Sequence, residues 1–382
     1  MKTKALKIPP NGGSKPNPSN LILGINPEDS SMNLIPGPVG VWFVPATITP
    51  NNFQYKSLSN WALNIAVGCG HGCIVCYVPS TSTNKQAPQL TRYNVTDPDA
   101  EWGDYVLVRP WDEKKFLASL RAAEQTPVAK LKPDGNRAVI YSSTTDPYQV
   151  VTHPDAAIQK LLNEHLGRMV RRSLELIRDH STLNVRILTR SPQARKDFDL
   201  YSSFGHRLLF GMSLPTLRND LSRIYEPFAP APSQRLAALR AARDAGLNIF
   251  VAMAPTYPEC DSKDLEATLR AVAALDPVTV FHEPINVRAE NIARIQKAAA
   301  AAGVKLNTGV FSSKATWARY ALDSLHTVEG LASQVGLADR LHPWPDSSLE
   351  SRSVCEQLSN PNEHLKWLNT CWSRVSAWPG KI

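Results

Sequence analysis

The sequence predicts an α/β fold built on a parallel sheet, and two features of the chain support this prediction. Six short, nearly all-apolar runs alternate with helical patterns and begin near residues 105, 137, 184, 207, 247 and 278. Short apolar runs rich in β-branched residues are typical of parallel strands that are covered on both faces. The repeated order of strand and helix predicts right-handed connections, in a sheet that is either open or closed into a barrel.

The helices are indicated by apolar spacing and by their end signals. The strongest pattern covers residues 155–179, where Ile158 and Leu166 fall on one apolar face. Alanine-rich helical patterns follow at residues 233–245, 262–275 and 288–302. Two of these patterns end at Gly246 and Gly303. Glycine readily adopts the left-handed conformation found where helices end, so both positions suit a helix C-terminus.

The composition predicts one large domain with two flanking segments. A chain of 382 residues with 43% hydrophobic content can bury a core of barrel size. Residues 1–20 consist largely of Pro, Gly, Asn and Lys and have almost nothing to bury. We therefore expect a largely extended or disordered N-terminal tail at residues 1–54, a barrel domain at residues 55–310 and a helical C-terminal segment at residues 311–382.

The composition also bears on compartment and partners. The N-terminus has no apolar run of signal-peptide length, and no segment reaches the roughly 18 apolar residues of a membrane span. Six cysteines in so long a chain do not suggest a disulfide framework, so we expect a cytoplasmic protein with reduced thiols and no membrane partner. The formal charge of +8 agrees with an anionic partner but identifies none, because the basic residues are spread along the chain.

Half of the cysteines lie within eight residues, in the pattern C-x3-C-x2-C: Cys69, Cys73 and Cys76. Three thiolates can hold three corners of a four-iron cluster and leave the fourth iron open to a small chelating molecule. The alternative is structural zinc with His71 as the fourth ligand, although zinc sites usually draw ligand pairs from two separate segments. Gly68, Gly70 and Gly72 suit a loop whose backbone curls closely around an inorganic cluster.

Polar and turn-forming residues follow the predicted strands. These segments cover residues 142–148, 189–191, 212–216, 254–260 and 282–286, while the first strand runs into the cysteines. Ligands of parallel α/β folds bind at the carboxyl ends of the strands. The sequence therefore predicts a binding site that combines these segments with the cysteines. In the last segment, His282, Glu283 and Asn286 are candidates for contact with a substrate or a ribose.

The cysteine pattern on the loop after the first strand resembles the signature of the radical SAM superfamily. Four segments also resemble, in the same order, the branch related to spore photoproduct lyase, over roughly residues 60–305: GCGHGCIVCY, STTDPYQ, ILTRS and YEPFAPAPSQRLAALRAARDAGL. The resemblance implies a partial (β/α)6 TIM-like barrel with a 4Fe-4S cluster and S-adenosyl-L-methionine as cofactors. It further implies reductive cleavage of that cofactor to a 5'-deoxyadenosyl radical, which abstracts hydrogen from a substrate, and an external electron donor of the flavodoxin or ferredoxin type.

The resemblance assigns roles to residues around the cluster. The implied cluster ligands are Cys69, Cys73 and Cys76. Tyr77 directly follows the last of them and matches a tyrosine at the active site of the lyases. Arg190 stands where the lyases have a lysine near the cofactor carboxylate. This exchange is chemically sensible, because a guanidinium can bind a carboxylate through two hydrogen bonds.

Further cofactor contacts are expected at the ends of other strands. Thr144, Thr145 and Asp146 match the segment that meets the methionine end of the cofactor in the family. Ser213 matches a serine near the ribose. Glu283, in the polar segment after the last predicted strand, is a further candidate for cofactor binding.

Two positions depart from the lyase pattern. The lyases have a cysteine directly before their Thr-Ser-Asp motif, which returns a hydrogen atom to the substrate radical, and this chain has Ser143 there. A serine O–H is a much poorer hydrogen-atom donor than a thiol. Cys260, just beyond the fifth strand, is the candidate for a relocated donor. The second departure is Val75, because an aromatic residue usually precedes the third cysteine.

Three functional hypotheses follow from the sequence. The first is a radical SAM enzyme acting on an unidentified substrate; nucleic acid, peptide and small molecule are all open, and the net charge favours something anionic. The second is DNA repair of the spore photoproduct lyase type with Cys260 as the hydrogen donor. The third is a non-catalytic binding protein that is stabilised by structural zinc.

Overall fold

A computed structural model describes residues 37–380 with the exception of residues 52, 142 and 289, so residues 1–36 of the tail expected at residues 1–54 lie outside the described residues. The described strands are β1 (Val39–Val41), β2 (Ile48–Pro50), β3 (Trp61–Leu63), β4 (Ala66–Gly68), β5 (Val106–Val108), β6 (Ala138–Tyr141), β7 (Asn184–Thr189), β8 (Leu208–Ser213), β9 (Ile249–Thr256), β10 (Thr279–Pro284) and β11 (Leu341–Pro343). The described α-helices are α1 (Ala87–Leu90), α2 (Glu113–Glu124), α3 (Ala156–His180), α4 (Phe198–Ser202), α5 (Asn219–Tyr225), α6 (Pro232–Asp244), α7 (Ser262–Ala273), α8 (Asn291–Ala302), α9 (Lys314–Gln334), α10 (Arg352–Cys355) and α11 (Pro361–Ser373).

The main sheet has eight of the described strands, in the order β11-β10-β9-β8-β7-β6-β3-β2. Neighbouring strands run parallel, except that β2 pairs with β3 in the antiparallel direction. The predicted α/β class with a largely parallel sheet is therefore confirmed. Within the described chain β2 and β11 do not pair with each other, so the hydrogen bonding is that of an open sheet.

The main sheet is curled. The evidence is that strands near its two ends contribute side chains to one buried layer, which we call the inner layer. This inner layer contains Leu58, Ala62, Ala138, Ile140, Leu209, Phe250, Ala252, Phe281, Trp344 and Trp378. Ala62 lies in β3 and Phe281 in β10, with four strands between them in the sheet order. In a flat sheet with a spacing of about 4.8 Å, these strands would be about 24 Å apart. The opposite face of the sheet packs against α3, α6 and α7 and forms the main core.

A buried arginine lies in the inner layer, near the amino ends of the strands. Arg186 of β7 is 0% exposed; its Nε donates to the carbonyl oxygen of Leu58 at 3.0 Å, and its Nη2 donates to Oγ of Ser376 at 3.2 Å. The guanidinium also faces the rings of Phe250 and Trp378, whose centroids lie 4.9 and 5.1 Å away. Burial lowers the pKa of Arg186 to about 9. Cation–π attraction offsets part of the lost hydration.

The helices predicted from apolar spacing are confirmed, with small differences at their ends. Helix α3 begins after Asp155, whose carboxylate accepts hydrogen bonds from the backbone N–H groups of Ala157 and Ile158 at 2.8 and 3.1 Å. Gly246 and Gly303 follow α6 and α8 with φ angles of 75° and 64°, as expected of residues that end helices. No helix in the described ranges has the length and apolar character needed to cross a bilayer.

Three segments differ from the sequence prediction. The run near residue 105 forms β5, but it pairs with β1 and β4 in a separate three-stranded sheet. Residues 37–54, expected to belong to the tail, contain β1 and β2. The C-terminal segment is not only helical, because β11 extends the main sheet beside β10. Apolar periodicity marks a strand without identifying its partner, and strands of three residues carry too little pattern to be recognised.

Candidate functional site

A cavity of about 380 Å³ lies at the carboxyl ends of the main-sheet strands. Its walls include the predicted site residues except Cys260 and His282: Cys69, Cys73, Cys76, Tyr77, Thr144, Thr145, Asp146, Arg190, Ser213, Glu283 and Asn286. Parallel strands deliver their carboxyl ends to the same edge of a sheet, and this explains why segments so distant in sequence converge.

The cysteines enter the cavity on the loop that follows β4. Cys69 and Cys73 are buried and Cys76 is partly buried. Burial raises the pKa of each of the three thiols to about 12. Three neighbouring buried thiolates therefore need a compensating positive charge, which metal ions such as iron or zinc supply. The donor set fits a metal centre.

A single metal ion and a cluster place different demands on these donors. Among the residues that the structure describes, no three His, Cys, Asp or Glu side chains converge as ligands of one ion. His71, the proposed fourth zinc ligand, has its Nδ1 3.5 Å from Oδ2 of Asp146, which leaves Nε2 as the ring nitrogen that could face a metal. An iron–sulfur cluster takes one thiolate on each iron and does not need three ligands around one ion. The three thiols can therefore each ligate a different iron of a cluster.

The cysteine loop begins at a glycine that is required by close packing. Gly68 has a φ of 88°, and a Cβ added there would lie 2.1 Å from the carbonyl oxygen of Tyr105. Oγ1 of Thr145 donates to the carbonyl oxygen of Gly68 at 2.7 Å, and the N–H of Gly70 donates to Oε1 of Gln149 at 2.7 Å. Nε2 of Gln149 donates to Oγ1 of Thr145 at 2.6 Å. The segment after β6 thus holds the start of the loop.

Asp146 connects the end of β6 to the end of β7. Its Oδ1 accepts hydrogen bonds from Oγ1 of Thr189 at 2.7 Å and from the N–H of Tyr148 at 2.8 Å. Its Oδ2 accepts a hydrogen bond from the N–H of Arg190 at 2.7 Å. Asp146 lines the cavity as predicted, but these contacts engage both carboxylate oxygens with the protein itself. The structure gives Asp146 a positioning role.

Arg190 is held by a buried carboxylate. Its Nε donates to Oε1 of Glu226 at 2.6 Å, and Nη1 of Arg235 lies 2.5 Å from Oε2 of Glu226. Burial by itself would raise the pKa of Glu226, but the two guanidinium groups lower it to about 2, so Glu226 is charged. Within the described chain the Nη1 and Nη2 atoms of Arg190 donate no hydrogen bond. The forked end of Arg190 is therefore available to an anionic ligand group.

The cations in the described cavity wall are each paired with a carboxylate. Nζ of Lys56 lies 2.6 Å from both carboxylate oxygens of Glu283, and it also lies 4.9 Å from the ring centroid of Trp344. Arg288 forms an ion pair with Asp346. Arg190, described above, is the third cation. The cavity wall therefore has no large surplus of positive charge, in contrast to the chain as a whole.

Sequence reasoning missed several residues of the cavity and its support. Glu226 and Arg235 lie in YEPFAPAPSQR, a segment that carried the family resemblance, so a signal for them was present. Lys56 precedes β3, and Trp344 and Asp346 follow β11. No signal marked these three, because they reach the cavity only through the curl of the sheet and the addition of β11.

Cys260, the candidate for a relocated hydrogen donor, does not line this cavity. Cys260 is partly buried and lines a separate cavity of about 560 Å³ together with Tyr257, Tyr320 and Asp323. After β9 ends at Thr256 the chain turns, and the N–H of Cys260 donates to the carbonyl oxygen of Tyr257 at 3.0 Å. This turn places Cys260 at the second cavity, while its side chain also packs against the apolar cluster that contains Cys73.

Comparisons with known proteins identify one sequence relative above 30% identity and a shared fold. No protein-family model matches the chain. Uncharacterized protein ORF301 of Acidianus two-tailed virus is 32% identical over 265 residues, which cover 66% of this chain and 78% of that protein.

The solved structures that resemble the fold include spore photoproduct lyase. Its complex with dinucleoside spore photoproduct has a TM-score of 0.55 and 16% identity, and the match covers 80% of this chain and 81% of the lyase chain. A mutant of the lyase with bound AdoMet and dinucleoside spore photoproduct has a TM-score of 0.52 and 14% identity, covering 76% of this chain and 77% of the lyase chain. At this level of identity the likeness shows a common fold.

Proposed function

This chain belongs to the same protein family as uncharacterized protein ORF301 of Acidianus two-tailed virus, and we propose that it is a radical S-adenosylmethionine enzyme. The observation that carries the proposal is that Cys69, Cys73, Cys76 and Arg190 line one cavity at the carboxyl edge of a parallel sheet. The fold shared with spore photoproduct lyase supports it. Such a reaction needs thiols that hold a cluster and a cation that binds the cofactor carboxylate, and this cavity offers both.

The proposed cluster ligands are Cys69, Cys73 and Cys76. A 4Fe-4S cluster, when bound, supplies the electron that cleaves S-adenosylmethionine to a 5'-deoxyadenosyl radical. In this proposal the electron comes from an external donor of the flavodoxin or ferredoxin type. The cysteine loop itself is preformed, because Thr145, Gln149 and the close packing at Gly68 fix its path.

Arg190 is the proposed partner of the cofactor carboxylate. Glu226 holds its Nε at 2.6 Å, so the fork is oriented before a ligand arrives. Ser213 and Glu283 are proposed ribose contacts. The hydroxyl of Ser213 donates to the carbonyl oxygen of Ala254 at 3.1 Å, which leaves its oxygen free to accept a hydrogen bond from a ribose hydroxyl.

The remaining walls suggest what kind of substrate group enters the cavity. Apolar and aromatic side chains dominate these walls, including Phe53, Leu188, Ile285 and Trp344. Because the cations described in the wall are already paired, this environment supports an uncharged group at the reacting position. Nucleic acid, peptide and small molecule all contain such groups, and we propose no narrower class. In this proposal the charge of +8 acts outside the cavity, for example on a more distant anionic part of the substrate.

The two other hypotheses are less well supported. Lyase-type repair needs a thiol where Ser143 lies, and Oγ of Ser143 is instead within hydrogen-bonding distance of both Oδ1 and Nδ2 of Asn64, at 3.1 and 2.8 Å. Cys260 lies in the other cavity, which weighs against it as a relocated donor. Structural zinc has no support from the fold shared with spore photoproduct lyase, and the metal content of the reconstituted protein decides between zinc and iron.

Anaerobic reconstitution tests the proposed function. With iron and sulfide we expect about four irons per chain, and with S-adenosylmethionine and a strong reductant we expect release of 5'-deoxyadenosine. The triple variant Cys69→Ala, Cys73→Ala, Cys76→Ala is the matched control and should bind no cluster. Stoichiometric zinc in the wild-type protein, with no iron uptake and no nucleoside product, would overturn the proposal.

A further inference from the structure

We infer that Arg294 is a positioning residue of the cysteine loop and that its charge raises the reduction potential of a cluster held there. The inference rests on the proposed function, because it assigns a role toward the cluster of a radical S-adenosylmethionine enzyme. Arg294 lies on α8, more than 200 residues after the cysteines, and no functional role was predicted for this helix.

The guanidinium of Arg294 contacts the backbone of the cysteine loop directly. Nε donates to the carbonyl oxygen of Ile74 at 3.2 Å, and Nη2 donates to the carbonyl oxygen of Cys76. The side chain is 11% exposed, so both hydrogen bonds are largely protected from water. A planar fork with several N–H donors can bind two carbonyl groups at once, which a lysine cannot reproduce.

A third contact of the guanidinium ties the loop to the next segment of the chain. Nη1 of Arg294 forms an ion pair with Oδ1 of Asp99, and Oδ2 of Asp99 accepts a hydrogen bond from Oγ of Ser80. Ser80 lies only four positions after Cys76. The contacts of Arg294 and Asp99 therefore hold the chain in place from Cys73 to the short helical segment that begins at Pro79.

The other parts of the loop have their own anchors. Thr145 and Gln149 hold its start, and the N–H of Ile74 donates to the carbonyl oxygen of Tyr225 at 3.0 Å. Cys76 is the most accessible of the three cysteines, since the other two are buried. Arg294 thus hydrogen-bonds to the backbone of Cys76, the cysteine that is least buried.

The charge of Arg294 has a second consequence. A cation in a partly buried site stabilises added negative charge nearby, and reduction adds one electron to a cluster. Arg294 should therefore raise the reduction potential, while the carboxylate of Asp99 lowers it. Removing the charge of Arg294 and removing the charge of Asp99 should therefore shift the reduction potential in opposite directions. If the two residues only held the loop in place, no such opposite shifts would be expected.

The test is a redox titration of the reconstituted protein, monitored by EPR without S-adenosylmethionine or substrate. We expect Arg294→Met to lower the midpoint potential and Asp99→Asn to raise it. Arg294→Lys keeps the charge but loses the fork, so its potential should lie between those of Arg294→Met and the wild type. Lys297→Met, which removes an exposed charge from the same helix, is the control and should leave the potential unchanged. Iron content is measured for every variant.

The outcomes separate this inference from the proposed function. A wild-type protein that binds no iron overturns both. A wild-type protein that binds four irons, with the same potential in Arg294→Met and Asp99→Asn, overturns the inference alone. If Arg294→Met fails to retain a cluster, Asp99→Asn decides: a raised potential supports the inference, and an unchanged one overturns it.

Discussion

Nε of Arg190 donates to Oε1 of Glu226 at 2.6 Å, and the same carboxylate lies 2.5 Å from Nη1 of Arg235. One buried anion thus lies between two cations, and only Arg190 reaches the cavity. The side chains of Glu226 and Arg235 are fully buried, whereas that of Arg190 is 21% exposed. The arrangement fixes the arginine that we propose to bind the cofactor, before the cofactor is present.

Glu226→Gln should destabilise the protein substantially. The substitution leaves two buried or partly buried guanidinium groups without their counter-charge, and breaking such a pair typically costs about 3–5 kcal/mol. Urea unfolding at neutral pH measures the loss. Glu266→Gln removes the exposed partner of Arg270 and should change stability by less than about 1 kcal/mol. Equal stability of Glu226→Gln and the wild type would contradict the described charge arrangement.

Arg190→Ala should weaken S-adenosylmethionine binding by about 10- to 100-fold, because the charge-assisted hydrogen bonds that it removes contribute about 1.5–3 kcal/mol. Iron content should not change, since no cluster ligand is removed. Calorimetry on the reconstituted protein gives the affinity. The control is Arg195→Ala, an exposed arginine outside the cavity wall, which should bind the cofactor like the wild type. Loss of iron in Arg190→Ala would show that Arg190 supports the structure of the cysteine loop instead.

Gly68→Ala and Gly246→Ala separate backbone strain from steric clash. Both glycines have positive φ, 88° and 75°, so both alanines incur a conformational cost of about 1 kcal/mol. A Cβ at Gly246 would meet no atom within 4 Å, whereas a Cβ at Gly68 would lie 2.1 Å from the backbone of Tyr105. We expect Gly68→Ala to lose clearly more stability and to bind less iron. Similar unfolding free energies for the two variants would contradict this packing.

His165 should make the protein less stable in mild acid. Burial lowers its pKa from 6.5 to about 4 in the folded protein. Between these values the unfolded chain binds a proton that the folded protein excludes, so stability is full above pH 6.5 and falls until pH reaches about 4. The loss amounts to about 3 kcal/mol. His165→Gln, which can still donate to the carbonyl oxygen of Arg109, should reduce the slope of unfolding free energy against pH across this window. An unchanged slope would show that His165 does not titrate as described.

Cys260→Ala should leave reductive cleavage of S-adenosylmethionine unchanged, because Cys260 does not line the cavity that holds the other three thiols. The yield of 5'-deoxyadenosine per chain is the measurement, and Cys73→Ala, which removes a proposed cluster ligand, is the positive control. If Cys260→Ala lost the product but kept its full iron content, Cys260 would take part in the reaction.

The parts of the fold that the sequence predicted are those with strong local patterns. Strands β6 to β10 are long enough to show an apolar run, and α3 shows its apolar face over 25 residues. The separate sheet of β1, β5 and β4 could not be predicted, because strand pairing depends on contacts distant in sequence. The same limit applies to β11, which is three residues long and pairs with β10.

The candidate site shows the same division. Residues in recognisable motifs, such as Cys69 and Arg190, were found because the residue types and spacing carry the chemistry. Lys56 and Trp344 were not, since their contact with the cavity requires the sheet to curl. The role of Cys260 as a hydrogen donor stays a prediction, and its place at the second cavity could not be foreseen, because a polar turn after a strand indicates the edge of the sheet but not the direction in which the chain then turns.

The inner layer of the sheet sets an order of events during synthesis. Arg186 is made 190 residues before Ser376, which accepts one of its hydrogen bonds, and Trp378 covers its guanidinium later still. Until those residues leave the ribosome, a charged group lies in an apolar layer that has no cover on one side. The inner layer is therefore covered at Arg186 only after residues 376–378 have been made, late in the synthesis of the described chain.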